Sequence, residues 1–191
     1  MGLDMYLEKC NRKAWGYKNV DIDNAKEDNP KLYEEIKPFL TLRGGNYYQW
    51  ESIFEEVGYW RKANAIHNWF VENVQNGIDD CGYYEVSKEQ AQELLDICKE
   101  VKAGTQLEDG WVKTGEQFVN GIWAPCYQEG KTVADSTVAE ELLPTTSGFF
   151  FGSTDYDEWY MQDIESTIEI LTKALEETDF NKEMLVYTSS W

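Results

Sequence analysis

A single histidine, His67, four prolines and four cysteines stand in a chain of 191 residues, where 36 acidic side chains outnumber 17 basic ones. Each shortage excludes something. With one imidazole available, any histidine-based acid–base or triad chemistry has to run through His67. Cys10, Cys81, Cys98 and Cys126 form no Cys-x-x-Cys or Cys/His grouping, which removes the usual zinc patterns. Two disulfides are arithmetically open, but Met1–Lys9 interleaves Asp and Glu with its apolar residues and lacks the apolar stretch of a secretory leader. Reduced thiols in the cytoplasm are therefore expected. No run of about 18 apolar residues occurs, so no membrane-spanning helix is expected. Nucleotide-binding glycine patterns, a Gly-x-Ser-x-Gly elbow and a calcium loop are all missing. No metal, no cofactor and no catalytic residue is read from the sequence.

The scarcity of Lys and Arg leaves a net charge of −19. Direct DNA or RNA binding needs clustered cations on the protein, and an anionic membrane surface asks for the same, so neither is an expected partner. Basic proteins, cations, or the basic groove of a nucleic-acid-binding enzyme fit the charge. The distribution is uneven. Lys9, Arg12, Lys13 and Lys18 outweigh Asp4 and Glu8, which leaves residues 1–20 at +2 and the remainder at −21.

What the chain has in quantity is aromatic: eight Trp, twelve Tyr and eight Phe. Such side chains bring large buried areas and favour interfaces, and the length suffices for one domain with its own core. Gly2–Glu8 alternates apolar and polar residues and predicts a half-buried strand, with Arg12–Tyr17 a second short one. Pro30 after Asn29 predicts a short helix to Lys37, and Arg43-Gly44-Gly45-Asn46 a turn. A helix is predicted over Tyr59–Gln75, closed by Asn76-Gly77, with His67 inside an apolar arc and Arg61, Asn64, Asn68 and Glu72 outside it. In that arc His67 reads as a hydrogen-bonded core residue. Tyr83–Val86 reads as a strand, and Ser87 with Gln90 opens a capped helix that ends near Ala103. Trp111–Thr114 and Gln117–Val119 read as a hairpin turning at Gly115-Glu116, with a projecting loop after it. Ser147–Phe151, the GFFF segment, predicts a central strand, Thr154 the N-cap of a helix over Asp155–Glu177, and Met184–Ser189 a last strand. The fold class is α+β: a small, mostly antiparallel sheet of N-terminal, C-terminal and central strands against three main helices. Residues 1–191 form one domain, with 105–134 a hairpin or loop insertion.

The last helix carries the most specific surface pattern. Ile164, Ile168, Leu171 and Leu175 point inward, while Glu158, Glu165, Glu169 and Glu176 fall within about 40° of each other, at axial steps of about 10, 6 and 10 Å. Duplex DNA carries one charge per about 1.7 Å of axis, so the stripe imitates phosphates only in part. Trp159 and Ile170 are expected on the exposed side, where an apolar contact beside carboxylates suits a protein-binding face.

Three strings and the C-terminus, Met1–Leu7, Tyr59–Phe70 (YWRKANAIHNWF), Leu142–Thr154 (LLPTTSGFFFGST) and Ser189–Trp191, resemble a family of small acidic phage and prophage proteins. Residues 105–134 follow that pattern poorly, consistent with an insertion. The resemblance implies a phage-encoded cytoplasmic protein at work in a bacterial host. It implies no active site.

Two functions follow as expectations. The first is binding of a host protein, such as a nucleic-acid enzyme, through the acidic face of Glu158, Trp159, Glu165, Glu169 and Glu176. That would make the chain a counter-defence inhibitor of the anti-CRISPR or anti-restriction kind and a partial DNA mimic. The alternative is a small-molecule or nucleotide-binding protein, or a hydrolase, with a site around Arg61, Asn64 and Asn68 that also draws on Asp4, Tyr6, His67 and Ser153. A virion or assembly component is a third reading, which predicts stable oligomers.

Overall fold

The computed structural model describes residues 2–148 and 151–191. Its centre is a four-stranded antiparallel sheet in the order β4-β1-β8-β5. The strands are β1 (Asp4–Asn11), β4 (Phe54–Arg61), β5 (Tyr84–Val86) and β8 (Glu183–Ser190). The alternation read at the N-terminus places Leu3, Met5 and Leu7 in the core, while Asp4 and Tyr6 face the other side. β1 pairs along its whole length with β8, Asp4 opposite Ser190 and Asn11 opposite Glu183, so the two chain ends close one sheet.

Three helices cover one face: α3 (Asn64–Asn73), α4 (Lys88–Gly104) and α6 (Glu158–Glu177). Their apolar stripes join Leu3, Met5, Leu7, Leu185 and Tyr187 in one cluster. Among the described residues the opposite face is covered at the end near Cys10, Met184 and Val186. There the segment with α1 (Ile22–Asp28), α2 (Pro30–Ile36) and the hairpin β2 (Thr41–Gly44) and β3 (Gln49–Ser52) packs Ala14, Ile36, Ile53 and Phe54. The α+β class and the helix-backed antiparallel sheet hold as expected.

Local chemistry explains several elements. The Ser87 hydroxyl accepts from Gln90 N and the Gln90 side chain accepts from Ser87 N, the reciprocal cap foreseen for α4. Pro30 opens α2 behind the Asn29 cap. After α3, Asn76 and Gly77 have positive φ, and Gly77 N donates to Val71 O at 2.8 Å, closing the helix as read.

Other boundaries differ. Tyr59-Trp60-Arg61 is strand, not helix: Met5 pairs with Trp60 and Asp4 with Arg61, which buries Trp60 and turns Tyr59 and Arg61 outward. The chain leaves the strand at Lys62, whose φ is +63°, and α3 starts only at Asn64. An aromatic-rich stretch satisfies periods of 2 and 3.6 equally well over a few residues, and here pairing with β1 decides. Arg12–Tyr17 forms a 3-10 turn because Asn11 Oδ1 accepts from Lys13 N and pulls the chain out of the strand. Helix α6 begins three residues late. Its N-cap is Asp157 rather than Thr154, because Asp157 Oδ1 accepts from Trp159 N and Tyr160 N.

Residues 105–134 are mostly one long ribbon, β6 (Leu107–Val119) and β7 (Ile122–Val133). The turn is Asn120-Gly121, with φ of 51° and 87°, and not Gly115-Glu116. Asn-Gly accepts positive φ at both positions and matches the strand twist. Helix α5 (Thr137–Leu142) follows. Within the expected strand Ser147–Phe151, Phe149 and Phe150 lie outside the described residues, and Ser147, Gly148 and Phe151 are not in a strand. Among the described residues no helix is long and apolar enough to cross a membrane.

Candidate functional site

The end of β4, the start of α3 and the first turns of α6 diverge around a cavity of about 570 Å³. Its lining includes Arg61 and Lys62 from the β4–α3 bend, Lys113 from the ribbon, and Asp157, Trp159 and Asp163 around the start of α6. This size suits a small ligand. Its floor is unusual. Asp157 is 2% exposed; one carboxylate oxygen caps α6, and the other, Oδ2, accepts no hydrogen bond among the described residues. Burial pushes the Asp157 carboxyl above the ordinary aspartate range, against the pull of its two backbone N–H partners. Asp163 is raised further, to about 7, by burial first and by the Asp157 charge second. Tyr59, Trp60, Trp159 and Tyr160 also line the cavity, Trp60 and Tyr160 buried and Tyr59 and Trp159 exposed.

The residues singled out from the sequence distribute as follows. Arg61, Asn64 and Ser153 line this cavity together. Arg61 is mostly exposed, with Asp4 Oδ1 4.0 Å from its Nε. Asn64 is 4% exposed and works as a bracket: Nδ2 donates to Phe151 O at 3.1 Å and Ser153 O at 2.7 Å, and Oδ1 accepts from Thr146 N at 3.0 Å. Asp4 and Tyr6 sit on the outer face of the sheet; the Tyr59 hydroxyl donates to Asp4, which lifts the Tyr59 phenol to about 12. Tyr6 lines a separate hollow beside Glu8 and Arg43, where the buried Glu8 carboxylate pairs with the partly buried guanidinium. His67 is a core residue, as its arc implied: Nδ1 lies 2.7 Å from the Tyr187 hydroxyl and Nε2 3.0 Å from Asp79 Oδ2. Asn68 is half-buried and does not line the cavity. Asp163 escaped the sequence reading because a carboxylate between Tyr160 and Ile164 looks like any polar flank of an amphipathic helix. Among the described residues no group of three or more His, Cys, Asp or Glu side chains converges as a metal site.

No family model matches the chain. Curated proteins and solved structures give no match either.

The outer surface rearranges the acidic face. On α6, Glu165, Glu169 and Glu176 are exposed, but Glu165 is bridged by Lys102 of α4 at 2.8 Å, and Glu158 is half-buried beside Gly130 of the ribbon. Ile170 packs on Gly58 of β4 rather than facing solvent, because the absent Gly58 side chain leaves room for it. Trp159 is exposed, as read. A second stripe lies on α4: Glu89, Glu93, Asp96 and Glu100, all exposed, recur within about 60° at axial steps of about 6, 4.5 and 6 Å. None of these four has a salt bridge among the described residues, and they border a shallow groove of about 670 Å³.

The ribbon is the other exposed feature. At about 3.4 Å per residue β6 is about 40 Å long. Residues 114–123 are all exposed. Phe118 and Trp123, paired across the strands with ring centroids 5.4 Å apart, are 62% and 64% exposed, and Ile122 is 71% exposed. Trp111 and Tyr127 continue the apolar surface toward the base.

Proposed function

We propose that this chain is a binding protein that docks on a host protein carrying a basic groove, with the tip of the ribbon as its anchor. The observation that carries the reading is the exposed Phe118–Trp123 pair and Ile122 on a ribbon whose outer half is covered by nothing among the described residues. Contiguous exposed aromatics in a strongly charged protein mark an interaction surface, and Trp is the residue type that most often dominates binding energy. Of the twelve residues from Gly115 to Cys126 only Glu116 is charged, so the tip offers apolar area without desolvating carboxylates. The remaining surface supplies the long-range part. A charge of −19, with the uncompensated α4 stripe and the exposed glutamates of α6, steers the chain toward a cationic partner and repels nucleic acid.

A protein that grips DNA or RNA offers such a groove, and the resemblance to phage and prophage proteins supports a host defence enzyme as the partner. Occupying its groove would make this chain a counter-defence inhibitor. The test is capture of bacterial proteins at about 0.15 M salt by the wild type, by Phe118→Ser/Trp123→Ser and by Glu89→Lys/Glu93→Lys. A captured protein is then purified and titrated directly. The expected result is loss of at least about tenfold in affinity in both variants, with the salt dependence weakened in the charge variant alone. Affinity indifferent to the tip substitutions refutes the reading.

A further inference from the structure

We propose that the cavity between β4 and the first turns of α6 binds a small zwitterionic amine, its ammonium group on Asp157 and Asp163 and its anionic group toward Arg61 and Lys62. The reading is independent of the ribbon and of any protein partner. It starts from Asp157 Oδ2, a carboxylate oxygen in a residue 98% removed from solvent that has no donor among the described residues. A buried carboxylate oxygen left so is costly unless a ligand donates to it. Asp163 lines the same cavity, where burial first and the Asp157 charge second raise its carboxyl. A cationic donor relieves both.

The wall selects the kind of cation. Asp155, Asp157 and Asp163 all line the cavity, but they do not converge as a metal-ligating group among the described residues, and Asp157 is already engaged in capping α6. Among the aromatic residues of the wall Tyr59 and Trp159 are exposed, and ring faces attract ammonium groups. Arg61 and Lys62 are both exposed, and Lys113 also lines the cavity. They disfavour entry of a simple polycation and supply a seat for a carboxylate or phosphate at the far end of the ligand.

Isothermal titration with four probes separates these parts: phosphoethanolamine, 4-aminobutanoate, ethanolamine and butanoate, each at up to about 10 mM. Binding of at least one zwitterion is expected, at least about tenfold tighter than ethanolamine or butanoate. Preference between the first two probes identifies phosphate or carboxylate as the anionic end. Asp163→Asn is expected to weaken the zwitterion at least about tenfold, and Arg61→Ala to bring it to the level of ethanolamine. Asp157→Asn keeps a good N-cap residue, so its circular dichroism is expected to match the wild type while binding is lost. Heat from neither zwitterion, equal binding of butanoate, or a folded Asp163→Asn protein with unchanged affinity overturns the proposal.

Discussion

Asn64→Ala separates a structural role from a ligand-binding one at a residue that its sequence position left open to both. The side chain makes three hydrogen bonds across more than 80 residues of sequence, to Thr146 N, Phe151 O and Ser153 O. It thereby ties the irregular segment before α6 to the start of α3. A hydrogen bond contributes a net 0.5–1.5 kcal/mol or so, and stranding a buried partner costs about 1–3 kcal/mol. Thr146 and Phe151 are half-buried and Ser153 is exposed, so water rescues part of the loss. The expected cost is therefore about 2–4 kcal/mol. Urea unfolding followed by tryptophan fluorescence reads it as a lower midpoint at unchanged slope. Asn64→Asp sharpens the test. It keeps the acceptor for Thr146 N but turns a carboxylate toward two carbonyl oxygens, so it should be at least as damaging at neutral pH and should recover in part on acidification, when the carboxyl becomes a donor. A residue kept for binding behaves the other way, since its removal is usually neutral or stabilising. A loss below about 0.5 kcal/mol for Asn64→Ala would refute the bracket.

Further outcomes follow from the same geometry. Gly58→Ala places a methyl against Ile170 Cγ2 and is expected to cost about 1–3 kcal/mol, with Ile170→Ala, which removes Cγ2, recovering at least about 0.5 kcal/mol of it in a double-mutant cycle; additive effects contradict the contact. Asp163 has its folded carboxyl raised from 3.8 to about 7, so between those values the folded state holds more protons than the unfolded chain. Its contribution to stability therefore falls as pH rises through that window, by at most about 1.4 kcal/mol per pH unit, and comparing Asp163→Asn with the wild type across the window should show that slope removed. Burial holds the thiols of Cys10 and Cys98 up at about 11 and about 12, whereas Cys81 is exposed and Cys126 half-buried. Maleimide should modify Cys81 first, Cys126 more slowly, and Cys10 and Cys98 only on unfolding; native-state labelling of Cys98 at the Cys81 rate contradicts this.

What was legible in the sequence was what neighbours along the chain decide. The β1 alternation, the Ser87/Gln90 cap, Pro30 at the head of α2 and the Asn76-Gly77 close of α3 each rest on contacts within a few residues. Tyr59–Arg61 failed because its pattern fits two periods, and only the distant Met5 and Asp4 select one. The ribbon turn failed for the opposite reason. Asn120-Gly121 is a strong hairpin signal, but the flanking strands pack on nothing near the tip, so no alternation of buried and exposed residues drew attention to it.

The two acidic stripes differ in what packs against them. Periodicity finds Glu158, Glu165, Glu169 and Glu176 on α6 and Glu89, Glu93, Asp96 and Glu100 on α4 with equal ease, because both repeat near 3.6 residues. Periodicity says nothing of what lies across from each. Helix packing brings Lys102 of α4 onto Glu165, and the ribbon half-covers Glu158, so of the four α6 glutamates only Glu169 and Glu176 are both exposed and free of a salt bridge among the described residues. The α4 stripe keeps all four exposed at about 1.6 times the axial density. Charge reversal at Glu89 and Glu93 should accordingly slow association with a basic partner more than reversal at Glu165 and Glu169, and the difference should vanish as salt screens both. Equal effects of the two pairs would mean that only net charge matters and that neither stripe is a contact surface.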